Sequence, residues 1–279
     1  MRLSIVTINY NNAEGLRKTL ASVASQTYPN IEHIIVDGGS TDASVKVIKD
    51  YVNQCVMYDI LWVSEKDNGV YHAMNKGIKK ASGDYIQILN SGDVLAAPNV
   101  TARMVDALPE ETPIFYGNML KSYDGKTIIQ RDTCGGGMYT PESFLYFYNG
   151  TLNHDCAYIR RDLFDKYGLY NEDMKICSDW EWYVKAIALG GEKAVYTDID
   201  VTIFDMNGVS ESHGKNAELI KNERREYLKK ILPATVLHDY DMFAFPVMQY
   251  QRLKRHHLWG IAHFIERVLF KLEKWRILR

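Results

Sequence analysis

The stretch Ile31-Glu32-His33-Ile34-Ile35-Val36-Asp37-Gly38-Gly39-Ser40-Thr41-Asp42 decides the fold of this chain. Ile31–Val36 is a short, largely apolar and β-branched run, the pattern of a buried strand. It stops at Asp37, and two glycines and a Ser-Thr-Asp group follow. The last of these can cap a helix over Ala43–Val52, with Val45, Val47, Ile48 and Val52 partly on one face. The alternation continues in both directions. Upstream, Leu3–Ile8 reads as a buried strand, and Asn11–Ser25 carries Leu16, Leu20, Val23 and Ala24 at helical spacing. Downstream, Ile60–Val63, Val70–Ala81 and Tyr85–Leu89 read as strand, helix and strand. Such alternation argues an α/β protein with a mostly parallel sheet flanked by helices. Right-handed crossovers place the strand C-termini on one edge, where ligands of open α/β sheets bind.

The pattern changes after Pro98. Ile114–Met119 and Thr127–Gln130 read as hairpin strands around Asp124-Gly125, and Cys134–Gly137 as a mobile glycine-rich loop. Cys156–Ile159 and Val195–Phe204 read as strands, and Asp179–Leu189 and Glu211–Leu232 as helices. No stretch is rich enough in Pro, Gly or Ser to be a linker. Residues 1–235 therefore read as one domain and 236–279 as a basic amphipathic helical extension.

The 279 residues, 46% apolar and 24% charged, suffice for a core without disulfides or a structural metal. This excludes a disordered tail, a collagen-like fibre and a coiled coil. A net charge of −2 argues against nucleic acid as a partner. Cys55, Cys134, Cys156 and Cys177 form no Cys-x-x-Cys pair, which fits reduced thiols in a cytoplasm. There is no run of about 18 apolar residues to span a membrane. Met1–Val6 turns polar too soon to be a signal peptide.

Three predicted strands end in carboxylates on one edge: Asp37, Asp67 after Ile60–Val63, and Asp93 after Leu89. A single Asp there is ordinary turn chemistry. Three converging would repel one another unless a cation or hydrogen-bond donors separate them. Mg²⁺ or Mn²⁺ takes oxygen ligands and bridges to phosphate, so a nucleotide or sugar-nucleotide site follows as a physical hypothesis. Gly38 and Gly39 suit either a left-handed turn or close ligand approach.

Ile5–Asn11, Ile35–Asp42, Asp67–Gly77 and Gly83–Asp93, in this order and spacing, resemble the successive motifs of family 2 glycosyltransferases with the GT-A fold. The ending Asn90-Ser91-Gly92-Asp93 is similar to enzymes of bacterial polysaccharide assembly, such as the colanic acid pathway. The resemblance covers residues 1 to about 210. It implies a nucleotide-diphosphate sugar donor, a UDP-sugar first, a divalent cation, and inversion at the anomeric carbon. Residues 1–97 become the nucleotide-binding half and 98–235 the acceptor half. Thr7, Asn9 and Tyr10 would lie by the base or ribose, Asp37 and Asp67 would bond them, and Gly38, Gly69, Asn75 and Asn90 would adjoin the donor. The family's Asp-x-Asp is here Asn90, Ser91, Gly92, so Asp93 alone is left as a metal carboxylate.

The same resemblance places a general base at the start of a helix, which Cys177-Ser178-Asp179-Trp180-Glu181-Trp182 matches. Asp179 is assigned as the base and Glu181 as its fallback. A first-turn acid stabilised by the helix dipole is the plainer reading. Trp180 or Trp182 would offer a sugar-stacking face or pack in the core. His154 and Asp155 fall where similar enzymes face the acceptor, and a structural histidine is the alternative. Asp205–Ser210 and His213 resemble the loop that closes over the donor diphosphate, with His213 as a further metal ligand or a solvated side chain.

Residues 250–279 hold eight basic and two acidic residues, a net of +6, against −8 for the rest. Leu258, Ile261, Ala262, Ile265, Val268, Leu269, Leu272 and Trp275 follow helical spacing, flanked by Arg255, Arg267, Lys271 and Lys274. A basic amphipathic helix suits the inner face of a membrane, and thus a lipid-linked saccharide acceptor. It equally suits docking on its own domain or on a second copy in a homo-oligomer. A sugar nucleotidyltransferase would need a glycine-rich basic loop after the first strand, and a dehydrogenase Gly-x-Gly-x-x-Gly. Thr7–Glu14 has neither. A non-catalytic GT-A binding or scaffolding module stays open.

Overall fold

The computed structural model describes residues 1–123, 127–133, 141, 143–206 and 216–277. Its first half is β1 (Leu3–Asn9), α1 (Ala13–Ala24), β2 (Ile31–Asp37), α2 (Ser44–Gln54), β3 (Asp59–Ser64), α3 (Val70–Lys80) and β4 (Tyr85–Ile88). There follow β5 (Val94–Leu95), α4 (Val100–Ala107), β6 (Ile114–Ser122), β7 (Gln130–Asp132), α5 (Phe144–Asn149), β8 (Ala157–Arg160) and α6 (Asp162–Tyr167). The chain continues through α7 (Ser178–Tyr183), β9 (Ala194–Asp205), α8 (Ala217–Ile231), α9 (Ala234–Arg255) and α10 (Trp259–Ile277).

Among the described residues the strands form one mixed sheet in the order β3-β2-β1-β4-β8-β6-β9-β5, with β7 on β6. β1 to β4 are parallel, whereas β8 runs antiparallel to both β4 and β6. Every residue of β1 and β2 is buried, as strands covered on both faces must be. β3 is the edge and leaves Leu61 and Trp62 exposed. α1 starts at Asn12, whose side chain accepts the Gly15 N–H at 3.1 Å. α3 crosses β1 so closely that a Cβ on Gly77 would stand 2.2 Å from Val6 Cγ1, so only glycine fits.

Two features differ from the pattern expected. The strand expected at Thr127–Gln130 is β7, three residues later, and pairs with β6 as expected of a hairpin. Its turn at Asp124-Gly125 and the Cys134–Gly137 loop lie outside the described residues. The helix expected over Asp179–Leu189 is α-helical only to Tyr183 and continues as a π-helical turn over Val184–Leu189. The helical extension expected at 236–279 is divided into α9 and α10, and α9 packs on the domain. It meets the body through buried Leu237 and Ala244, and through Tyr240 stacked 5.3 Å from the Tyr148 ring and tilted 5.1 Å from Phe144.

Candidate active site

The C-terminal edge of the parallel strands gathers two groups of side chains. The first surrounds Asp37. Its carboxylate accepts from Asn9 Nδ2 at 2.7 Å, Ser40 Oγ at 2.5 Å and Ser64 Oγ at 2.7 Å. Burial alone would raise this carboxyl, but the serine and asparagine donors hold it below the usual range, so it stays ionised. Asp67 approaches from the next strand end, held by Lys76 Nζ at 2.7 Å. Gly38 lies between the two: a Cβ there would be 2.9 Å from Asp67 Oδ2 and 3.3 Å from the Tyr10 ring. Tyr10 is 67% exposed, an aromatic face open to solvent beside two carboxylates. Gly69, at φ +132°, has open space beside it and begins α3.

The second group is built on Asp179 in the first turn of α7. Tyr71, in the first turn of α3, donates its hydroxyl to Asp179 Oδ1 at 3.1 Å and also to the Ile176 carbonyl. His154 Nδ1 lies 3.1 Å from Asp179 Oδ2, and its Nε2 lies 3.1 Å from Asn90 Nδ2. The His154 and Asp179 side chains keep 15% and 14% exposure. Burial opposes charge on both groups, yet each stabilises the other's ion. The carboxyl of Asp179 sits below its ordinary range and the imidazole of His154 above its own. With Nε2 accepting from Asn90, His154 is neutral. Turning the amide over gives Asn90 Oδ1, buried with no partner among the described residues, an N–H from an imidazolium. Asp155 lies beneath, accepting from Thr202 Oγ1 at 3.1 Å.

The two groups share α3. Asp67 and Gly69 lead into it, and Tyr71 ties its first turn to Asp179. Tyr71 had no assigned role in the sequence reading, though it stands in a motif quoted there. Its signal was position: a hydroxyl one residue into a helix that starts at the ligand edge.

Asp93 does not join Asp37 and Asp67. It is buried, and its Oδ1 accepts the Asp205 N–H at 2.9 Å. Burial and the neighbouring Asp155 push its carboxyl well above the ordinary range. Among the described residues no three His, Cys, Asp or Glu side chains are gathered to hold a metal ion. Among the described residues Asp93 is thus the one carboxylate that the Asn90–Asp93 turn offers a hard cation, and its Oδ1 also pins β9. The turn that carries it is fixed by α1: Gly92, at φ +114°, donates its N–H to Thr19 Oγ1 at 2.9 Å, and Thr19 donates to the Asp93 carbonyl at 2.7 Å. His213 and 207–210 lie outside the described residues.

Five other expected site residues have their side chains in the interior. Thr7 lies 3.0 Å from His33 Nε2 inside the sheet, because alternate residues of a central strand face a covered side. Burial pushes that histidine down to about 3. Asn75 bonds the Tyr170 N–H and carbonyl and Glu172, anchoring the chain ahead of α7. Trp180 donates to the Phe147 carbonyl and Trp182 to that of Gly168, both within the core, so neither forms a stacking face. Glu181, the fallback base, is buried against Lys185 and Asn171.

Residues 4–168 match the family model described as glycosyl transferase family 2. An uncharacterized glycosyltransferase of Mycobacterium tuberculosis is 34% identical over 226 residues, 80% of this chain and 82% of that protein. Among solved structures, Staphylococcus aureus TarS 1–349 with UDP-GlcNAc superposes with a TM-score of 0.64 at 18% identity, covering 91% of this chain and 73% of that one. A mannosyltransferase from Pyrobaculum calidifontis, in complex with GDP-Man and Mn²⁺, gives 0.63 at 17% identity, covering 94% of this chain and 73% of that one.

Proposed function

The chain belongs to glycosyl transferase family 2, with the GT-A fold of its structural neighbours, and we propose that it is an inverting transferase with Asp179 as its base. The donor is a nucleotide-diphosphate sugar, a UDP-sugar first, and the acceptor a saccharide, lipid-linked, in surface polysaccharide synthesis. Asn9, Tyr10, Asp37, Gly38 and Asp67 form the nucleotide wall, with the Tyr10 ring against the base. In the transfer step the acceptor oxygen attacks the anomeric carbon and the bond from that carbon to the diphosphate oxygen breaks. The acceptor proton passes to the Asp179 carboxylate, and the nucleoside diphosphate leaves with the electron pair. One displacement of this kind inverts the centre.

The observation that supports this reading is the Tyr71–Asp179–His154–Asn90 chain, a partly exposed carboxylate kept ionised and oriented on two sides. A non-catalytic module has no need to hold such a charge against burial. His154 and Asn90 act through Asp179 as positioning residues. No step is routed through a metal.

The test is a thermal-shift screen of UDP-GlcNAc, UDP-glucose, UDP-galactose and GDP-mannose, each with and without Mn²⁺. A true donor at about a hundred times its Kd adds about 2.7 kcal/mol of apparent stability. That raises Tm by about 5–10 °C in a protein of this size. The stabilising donor is then assayed for nucleoside diphosphate release with wild type and with Asp179→Asn. Wild type that releases none with any donor would leave the scaffolding module as the better account.

A further inference from the structure

We propose that α9 and α10 form a docking surface for an anionic lipid bilayer, with α10 lying in the interface rather than crossing it. The body of the protein covers only one side of α9, through Leu237, Tyr240 and Ala244. The rest of α9 leaves Met242, Phe243, Phe245 and Tyr250 exposed. Along α10 the exposure is greater still: Ile261, Phe264, Ile265, Leu269 and Leu272 all face solvent, with Phe264 68% exposed. A run of this kind far exceeds the scattered apolar residues of an ordinary surface.

The helical turn sorts these side chains. At 3.6 residues per turn, Ile261, Phe264, Ile265, Val268 and Leu272 fall on one face of α10. Arg267 and Lys271 fall on its flank, and Arg252 and Lys254, at the end of α9, are also exposed. The stretch 250–279 carries a net +6 while the remainder carries −8. Charge complementarity therefore selects an anionic surface. A second copy of this chain would bring +6 against +6 at the tail, so the same positions that attract anionic lipid oppose self-pairing. Among the described residues no helix is long and apolar enough to cross a membrane, which leaves a helix that lies in the headgroup region.

The surface is fixed to the body near the second group of site residues. Asp241 of α9 accepts the Tyr148 hydroxyl at 2.5 Å and both guanidinium nitrogens of Arg225 at 2.6 and 2.8 Å. Tyr148 belongs to α5, the helix that precedes His154 in the chain. A bilayer held by α9 and α10 is thereby held at the side of the molecule where the chain enters the His154 segment.

The test is co-sedimentation of the full chain with vesicles, with no catalytic readout, so its outcome is separate from that of the transferase proposal. Vesicles of phosphatidylcholine alone are compared with vesicles of three parts phosphatidylcholine to two of phosphatidylglycerol, at low and high salt. Binding to the anionic vesicles alone, weakened by salt, is expected. Arg267→Gln with Lys271→Gln should weaken partition about thirty-fold, from roughly fivefold per basic residue near an anionic surface. Phe264→Ser with Leu272→Ser should abolish it while leaving the donor-induced thermal shift of the same preparation unchanged. Full-length protein that stays in the supernatant with anionic vesicles at low salt overturns the proposal. So does a stable dimer, by sedimentation velocity without lipid, that the Phe264→Ser, Leu272→Ser variant dissolves.

Discussion

Asp179→Asn separates charge from shape at the proposed base. The amide has the size of the carboxylate, so no cavity opens. The carboxylate now receives Tyr71 and His154, each at 3.1 Å. An amide oxygen still accepts from one of them, and its NH₂ meets the other. Tyr71 keeps its second acceptor at Ile176, and His154 takes the tautomer whose Nδ1 accepts from the new amide. Its Nε2–H then points to Asn90, which satisfies it by turning its amide over. Every polar atom retains a partner, and the variant also sheds the cost of burying a charge. The net loss is thus at most about 2 kcal/mol, or a Tm lower by about 4–8 °C. Transfer loses the group that takes the proton, a fall in kcat of about 10²–10⁴. That is about 3–5 kcal/mol of barrier. The assay is nucleoside diphosphate release at saturating donor, with Kd for the donor measured by thermal shift on the same protein. A variant within threefold of wild-type kcat would refute Asp179 as the base. A variant that loses donor binding together with kcat would show that the two site groups cannot be separated in this way.

Further outcomes follow from the same geometry. The His154–Asp179 pair raises one group and lowers the other, so its stabilisation is full between the ordinary carboxylate and imidazole values, about pH 4 to 6.5. It fades as pH falls through the lowered Asp179 value and as pH rises through the raised His154 value; urea unfolding should show His154→Gln costing more at pH 5.5 than at pH 9 (about a unit or more beyond the ordinary imidazole value), and equal costs would sink the pairing. Gly77→Ala should cost about 2–3 kcal/mol, since the new methyl meets Val6 at 2.2 Å. Val6→Ala in the same chain should recover part of that loss, and additive losses would count against the contact. Asp93→Asn keeps the acceptor for the Asp205 N–H and should weaken any Mn²⁺ response of donor binding; a response left intact would take Asp93 away from the metal. Tyr10→Ala should weaken donor binding about tenfold, from roughly 1–3 kcal/mol per stacked base, with Tm in the absence of donor unchanged.

The first half of the fold was legible because each strand is a continuous apolar run and each helix has one apolar stripe. Thr7 shows where that legibility stops. In a strand covered on both faces the pattern does not tell which residues reach the edge, so a motif position was read as a contact although its side chain faces His33. Asp179 and His154 are 25 residues apart on different elements, and no local spacing pairs them. Their association depends on Asn75 and Tyr170 bringing the stretch before α7 against α3. Asp93 shows a second limit, because turn chemistry and ligation draw on the same residue type at the same place, and its Oδ1 also holds the β9 backbone. In the expected helical extension the start of α10 was not legible, because α9 carries apolar residues on all sides and Pro246 inside it, so no single stripe marks where one helix ends.

The position of α3 has a consequence for exchanging parts between related enzymes. One end of this helix closes on Asp67, its first turn steadies Asp179, and Asn75 and Gly77 clamp its far half to Tyr170 and Val6. A segment swap meant to alter donor choice at 65–69 therefore also shifts the residue that receives the acceptor proton. Grafts that respect this have two pieces moved together, 65–77 and 170–179, with residue 6 matched to the incoming helix. Swaps of either piece alone should give chimeras that bind one substrate and misplace the other.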